Sequence, residues 1–188
     1  MFVATLPRRV AERLHWRRVV QNATVREVLM GAQDNLTNVL AVVLGVTIGS
    51  GRADFVALAG LSAGIAESVS MGGVLYNATR AERRLEARRP EAAVQADDAR
   101  LAPVLSGVVT FVAALVAGLI PLAPFAVLPV STAVIASSVV SVAGLFLLGS
   151  LTGRMGGDTW WREGLRLVAV AGVAAVAAAL IGSALRVA

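Results

Sequence analysis

Residues 31–76 place acidic side chains inside a stretch that is long and apolar enough to cross a membrane twice. The two helical spans are predicted at about 29–48 and 55–76. A span needs roughly 20 residues, and counting back from Ile48 puts Asp34 inside the first one. At a rise of about 1.5 Å per residue, Asp34 lies ~21 Å from that end. The fold must therefore hold a carboxylate at a depth where ionised groups are costly.

The second span brings another carboxylate and a thioether to the same depth. Glu67 and Met71 are four residues apart, so they share one helix face. The Gly-rich turn at 49–54 is centred between Gly51 and Arg52. If the two spans are antiparallel about that centre, Asp34 lies opposite Val69, midway between Glu67 and Met71. Neither span contains Lys, Arg or His, so the acids must be protonated, bind a cation or alternate between the two. This arrangement predicts a metal cation exchanged for protons, with Asp34, Glu67 and Met71 as ligands.

Each of these residues also has a structural interpretation. Asp34 can be the N-cap of a helix that begins at the membrane surface, although the remaining apolar segment, residues 39–48, is then short at ~15 Å. Glu67 can hydrogen-bond a Ser or Thr hydroxyl in a purely structural contact, and Met71 can be a packing residue. Asn38, one turn beyond Asp34, is a weaker candidate ligand.

Composition extends the membrane interpretation to the whole chain. Hydrophobic residues make up 57% and charged residues 15% of the 188 residues, and the mean hydropathy is +0.76, which a soluble domain would not show. Further spans are predicted at about 101–122, 125–151 and 165–185, giving an all-α polytopic membrane protein with five transmembrane helices. With no Cys, one His, and neither a nucleophile elbow nor a phosphate loop, we expect neither an enzyme nor a permanently bound cofactor.

Arginines are concentrated in three segments outside the spans. Residues 1–28 carry six, interleaved with apolar residues, which predicts an amphipathic helix on the membrane surface ahead of a five-helix domain at 29–188. The charged segment 77–100 carries six more, and the loop at 154–166 carries three beside an aromatic interface anchor. Five spans put these three segments on one side, so the amino terminus is predicted in the cytosol and the carboxyl terminus outside. Membrane orientation thus explains the pI near 11.3 better than nucleic-acid binding does.

Four motifs, in order, resemble the vacuolar iron transporter family over nearly everything after residue 24. The family's opening motif, built around Asp-Gly-Leu, is similar to VREVLMGAQDNLTNVLAVVLGV, and its second helix, with an acid ahead of Ser-Met, is similar to ADFVALAGLSAGIAESVSMGGVLY. Its third helix is similar to PVLSGVVTFVAALVAGLIPLAP, and its fourth-to-fifth junction to GLFLLGSLTGRMGGDTWWREGLRL. The chain is identified by these motifs as a short, bacterial-type member.

The resemblance implies a homodimer in a bacterial cytoplasmic membrane that exports Fe²⁺, or in some members Mn²⁺, from the cytosol in exchange for protons. It assigns Asp34, Glu67 and Met71 to the metal pathway, which the first helices of the two protomers line. No resident cofactor is implied, since the metal is the transported substrate.

The chain departs from the family pattern in three places, and two of these departures, Leu75 and the missing insertion, favour a competing interpretation. Asn35 replaces the glycine of Asp-Gly-Leu, and Leu75 replaces the acid of Gly-Glu-Tyr. The short Arg-rich segment 77–100 stands where many members have a long Glu-rich insertion, of which Glu82 and Glu86 are candidate remnants. The competing interpretation is a membrane scaffold that keeps the fold and does not transport, which the retained acids disfavour.

Overall fold

The computed structural model describes the backbone of residues 8–86 and 101–186 and the side chains of residues 25–85 and 102–186. Within these ranges the chain forms five α-helices and one short 3₁₀ helix. Their bounds are α1 Arg8–Ser50, α2 Ala53–Glu86, α3 Leu101–Leu119, the 3₁₀ helix Ala123–Ala126, α4 Val130–Gly156 and α5 Trp160–Ala184. Each α-helix is long and apolar enough to cross a membrane. The predicted all-α fold with five membrane-spanning helices is confirmed.

Helix α1 contains both the predicted arm and the first span. It runs from Arg8 to Ser50 without a break, so residues 8–28 continue directly into the membrane segment. Asp34 therefore lies in the middle of a helix, and its interpretation as an N-cap is wrong. The predicted amphipathic character of the arm concerns side chains before Val25, which lie outside the described residues.

The turn between α1 and α2 consists of Gly51 and Arg52, the centre about which the two spans were predicted to be antiparallel. Gly51 has φ +63°, a left-handed conformation that glycine adopts without a side-chain penalty, and its N–H donates to the Thr47 carbonyl at 2.9 Å. Arg52 pairs with Asp54 and lies 4.1 Å over the Phe55 ring. The Asp54 carboxylate raises the pKa of Arg52. This short turn forces α1 and α2 to be antiparallel neighbours.

Helix α1 lies at the centre of the bundle and contacts each of the other four helices. One buried face, with Leu36 and Leu40, packs against Leu145 of α4 and small residues of α3 and α5. A second face, with Val39 and Val43, packs against α2. In lipid this association depends on close packing and hydrogen bonds rather than on the hydrophobic effect.

Small residues allow α1 and α5 to approach until their backbones touch. Gly45 and Gly49 have the four-residue spacing common at membrane helix contacts. A Cβ built on Gly45 would lie 3.0 Å from the Ala178 carbonyl oxygen, and one on Gly49 would lie 3.2 Å from that of Gly182. The two helices therefore run parallel, with α5 covering one face of α1.

Helix bounds in the second half of the chain differ from the predicted spans. Helix α4 begins at Val130 rather than near residue 125. Pro129 occupies its N-cap with ψ 148°, and a proline disfavours helical geometry at the residue before it. Helix α5 begins at Trp160 rather than near residue 165. The exposed Trp160 and Trp161 lie in its first turn, with Arg154 5.6 Å from the Trp160 ring centre.

Candidate functional site

The structure brings together Asp34 of α1 and Glu67 of α2, the two acids that the sequence placed at one depth. Asp34 and Asn38 of α1 are the neighbouring side chains that influence the Glu67 carboxylate. Asn35 is hydrogen-bonded to Ser68. This pairing agrees with the predicted antiparallel register, in which Asp34 lies opposite Val69. Glu67 thus lies beside a carboxylate and an amide.

The acid pair lies at the edge of a single chain. Asp34 and Asn38 are exposed, one turn apart on α1, and Met30 continues the same row. Glu67 and Met71 are half-buried on the adjacent face of α2. In the part of the chain that the structure describes, the ion pairs are Arg52 with Asp54 and Arg166 with Glu163, so no described arginine neutralises the pair.

One chain supplies an incomplete set of ligands for a divalent cation. Two carboxylates and the Asn38 amide are hard oxygen donors, and the Met71 thioether, one turn from Glu67, is a soft one. Among the described residues no group of three or more His, Cys, Asp or Glu side chains could hold a metal ion. An octahedral ion of the Mg²⁺ or Mn²⁺ type takes about six ligands. One chain therefore supplies fewer ligands here than such an ion takes.

The weaker candidates on the extension of α2 are not part of this pair. Glu82 is exposed and lies about 22 Å along the helix from Glu67 at ~1.5 Å per residue. The side chain of Glu86 lies outside the described residues. A cavity of about 350 Å³ follows this part of α2, and its described lining is Asn77, Arg80, Ala81, Arg84 and Leu85. The arginines among these residues make the cavity unsuitable for a divalent cation.

Glu27 is a carboxylate that the sequence interpretation passed over, because it placed the start of the first span at residue 29. In the structure Glu27 accepts a hydrogen bond from the Ser106 hydroxyl of α3, whose oxygen accepts one from Thr79 of α2 at 3.2 Å. Glu27 lies seven residues before Asp34, two turns away on the same helix face. That spacing was visible in the sequence and could have identified it.

Replacing Ser106 with Ala tests how far this cluster stabilises the bundle. The change removes both hydrogen bonds and leaves the half-buried Glu27 carboxylate without its donor, so we expect a loss of about 1–2 kcal/mol in unfolding free energy. Thermal unfolding of the purified protein in detergent measures the effect. Ser138→Ala is the matched control, because the Ser138 hydroxyl bonds only within its own helix, to the Val134 carbonyl at 2.8 Å. Equal midpoints for the two variants would contradict the prediction.

Five helices of membrane length and an acid pair between two of them define an integral membrane protein in contact with the lipid bilayer. A family model described as the VIT family matches residues 25–96 and again residues 88–183. These matches span most of the chain, so it belongs to the VIT family, the vacuolar iron transporters that its motifs resemble. No curated protein is a close match. Membership places the chain in a family of metal ion transporters, in agreement with the expectation that it is not an enzyme.

Proposed function

We propose that this protein exports Fe²⁺ or Mn²⁺ from the cytosol in exchange for protons. The observation that carries the proposal is the contact of Asp34 with Glu67 inside membrane-spanning helices, with no described arginine beside them. Two carboxylates in this setting require a proton or a cation to balance their charge. Metal binding from the cytosol releases the protons that the pair holds, and protonation from the other side releases the metal.

The working unit is a homodimer that closes over the exposed row of α1. Asp34 and Asn38 face outward from a single chain, and leaving these polar groups against lipid is costly. A second copy related by a two-fold axis along α1 covers them and places two Asp34 side chains near each other. The dimer then offers four carboxylates and two Asn38 amides to one ion, which remedies the incomplete ligand set of one chain.

The donor types favour a transition metal over the abundant alkaline-earth ions. Asp34, Glu67 and Asn38 supply oxygen ligands that Mg²⁺ and Ca²⁺ also accept, whereas the Met71 thioether favours a softer ion. The arginine-rich segments favour a cytosolic amino terminus, and in this orientation the pair is loaded from the end of the bundle that carries Glu27 and Thr79. The membrane that fits a short member of this kind is the bacterial cytoplasmic membrane.

A membrane scaffold without transport is the second candidate, and Leu75 is the observation that favours it. Met71, Leu75 and Thr79 follow one row of α2 from the acid pair towards the arginine-rich end. Leu75 is buried, with 9% of its surface exposed. The resemblance indicates that relatives have an acid at this position. In this chain the apolar Leu75 side chain instead separates the acid pair from the Glu27 cluster.

Transport by the purified protein in liposomes distinguishes the two candidates. The vesicles contain a metal-quenched dye and a pH dye, and Fe²⁺ (kept reduced) or Mn²⁺ is added outside. We expect metal uptake that is faster when the lumen is acidic, rise of the luminal pH during uptake, and little competition from excess Mg²⁺. A proton ionophore removes the gradient as a control. Metal flux equal to that of protein-free vesicles for both ions would favour the scaffold.

A further inference from the structure

Asn35 is a fully buried polar side chain at the crossing of α1, α2 and α3, with 0% of its surface exposed. Its amide nitrogen lies 3.0 Å from the carbonyl oxygen of Gly64, 2.9 Å from the hydroxyl of Ser68 and 2.8 Å from the carbonyl oxygen of Ala114, so its two hydrogens are shared among three acceptors. The first two acceptors belong to α2 and the third to α3. One side chain therefore links three helices by hydrogen bonds.

The surroundings of Asn35 are shaped to this side chain. A Cβ built on Gly118 of α3 would lie 2.7 Å from the Asn35 amide nitrogen, so only glycine leaves room for it. The Ser68 hydroxyl donates to the Gly64 carbonyl at 2.6 Å, which orients its oxygen as an acceptor for Asn35. The carbonyl oxygen of Asn35, in contrast, has no hydrogen-bond partner among the described residues. A buried acceptor without a donor lowers the stability of the folded protein. Stability alone therefore does not explain well why an asparagine occupies this position.

The position of the link along the chain supplies a better reason. Asp34 directly precedes Asn35, and Glu67 directly precedes Ser68. Successive side chains on a helix differ by about 100°, so Asn35 points into the bundle while Asp34 points to its edge. The Asn35–Ser68 bond therefore fixes the height and rotation of α1 against α2 at the residues that bring the two carboxylates together.

We propose that Asn35 is a positioning residue that sets the distance between Asp34 and Glu67 through its hydrogen bonds to Ser68 and Gly64. The functional part of this inference rests on the proposed metal transport. The structural part, which concerns the register of α1 and α2, does not. Two experiments separate these parts.

The first experiment measures register without any metal. The chain contains no Cys, so the pair Asp34→Cys and Glu67→Cys can be introduced alone and oxidised in the full-length protein. The disulfide within one chain is measured as the fraction of protein that keeps monomer size and no longer reacts with a thiol reagent. We expect its rate of formation to fall about fivefold when Asn35→Ala is added, the size expected for loss of a buried hydrogen bond.

The matched control for this experiment is Thr37→Ala on the same helix. The Thr37 hydroxyl donates to the Gln33 carbonyl at 2.8 Å within α1 and reaches no other helix. It should leave the rate of disulfide formation unchanged. Equal rates with Asn35 and with Asn35→Ala would overturn the proposal, whatever the transport assay shows.

The second experiment separates positioning from a loss of folded protein. In liposomes containing equal amounts of folded protein, Asn35→Ala should raise the KM for Mn²⁺ about tenfold, with a smaller rise for Ser68→Ala. The pH at which transport is half-maximal should also shift, because the separation of the two acids sets how they share protons. A lower maximal rate with unchanged KM and pH profile would show a merely structural role and overturn the proposal. If the unmodified protein transports no metal, the proposed function fails while the disulfide result still decides the register.

Discussion

Replacing Asp34 with Asn is expected to reduce metal transport at least about a hundredfold, to the level of protein-free vesicles. The substitution keeps the size of the side chain and removes its charge and its exchangeable proton. Loss of one partner from a charged site in low dielectric costs roughly 3 kcal/mol or more, which corresponds to about a hundredfold in affinity. Asp34 is exposed on a single chain, so the change should leave folding intact. The measurement is the rate of Fe²⁺ and Mn²⁺ uptake into liposomes under a fixed pH gradient.

Two further variants make this test specific to the pair. Glu67→Gln should give the same loss, and the double variant should be no worse than either single one, because groups that act as a unit are not additive. Asp54→Asn is the control, since Asp54 is a carboxylate at the exposed turn, paired with Arg52. Normal flux in Asp34→Asn, or equal losses in Asp34→Asn and Asp54→Asn, would remove the pair from the transport pathway.

The hairpin of α1 and α2 could be predicted from the sequence because its geometry depends on few variables. A short turn containing glycine forces two long apolar segments to run antiparallel, and the register then follows from counting residues. The contact of Asn35 with Ser68 has that register. The depth of Asp34 needed no knowledge of packing, because the length of a membrane span sets it.

The internal face of α1 could not be predicted in the same way. Asn35 stood out in the sequence only as a departure from the family's Asp-Gly-Leu, and nothing local shows that its amide reaches Gly64, Ser68 and Ala114. These acceptors become neighbours only when α2 and α3 pack around α1. The hydrogen bond to Glu27 could not be predicted for a related reason, because its donor Ser106 comes from α3.

Glycine spacing also indicated close packing without identifying the partner. Gly45 and Gly49 could have faced any helix, or a second copy of the chain, and the structure shows that they face α5 at Ala178 and Gly182. The choice depends on which faces remain after α2 and α3 are packed against α1. Asp34 and Asn38 lie about three turns before Gly45 and Gly49 on nearly the same face of α1, and at their level this face stays exposed in a single chain.

Gly182→Ala is expected to be among the most destabilising single substitutions in the chain, at about 3 kcal/mol. A Cβ at this position would overlap the carbonyl oxygen of Gly45, and both groups belong to helix backbones that cannot move without separating α5 from α1. Overpacking of this kind costs roughly 1–3 kcal/mol or more, which exceeds the ~1 kcal/mol that alanine gains over glycine in a helix. Thermal unfolding in detergent and the fraction of monodisperse protein measure the loss.

Gly172→Ala is the matched control, because Gly172 lies in the same helix and a Cβ built there meets nothing within 4 Å. There only the gain in helix propensity operates, so this variant should be as stable as the unmodified protein or up to about 1 kcal/mol more stable. Opposite signs for the same substitution in one helix would show that contact with Gly45 sets the position of α5. Equal stabilities would mean that α5 can move away from α1 at little cost, and that the close approach at Gly45 does not hold the two helices together.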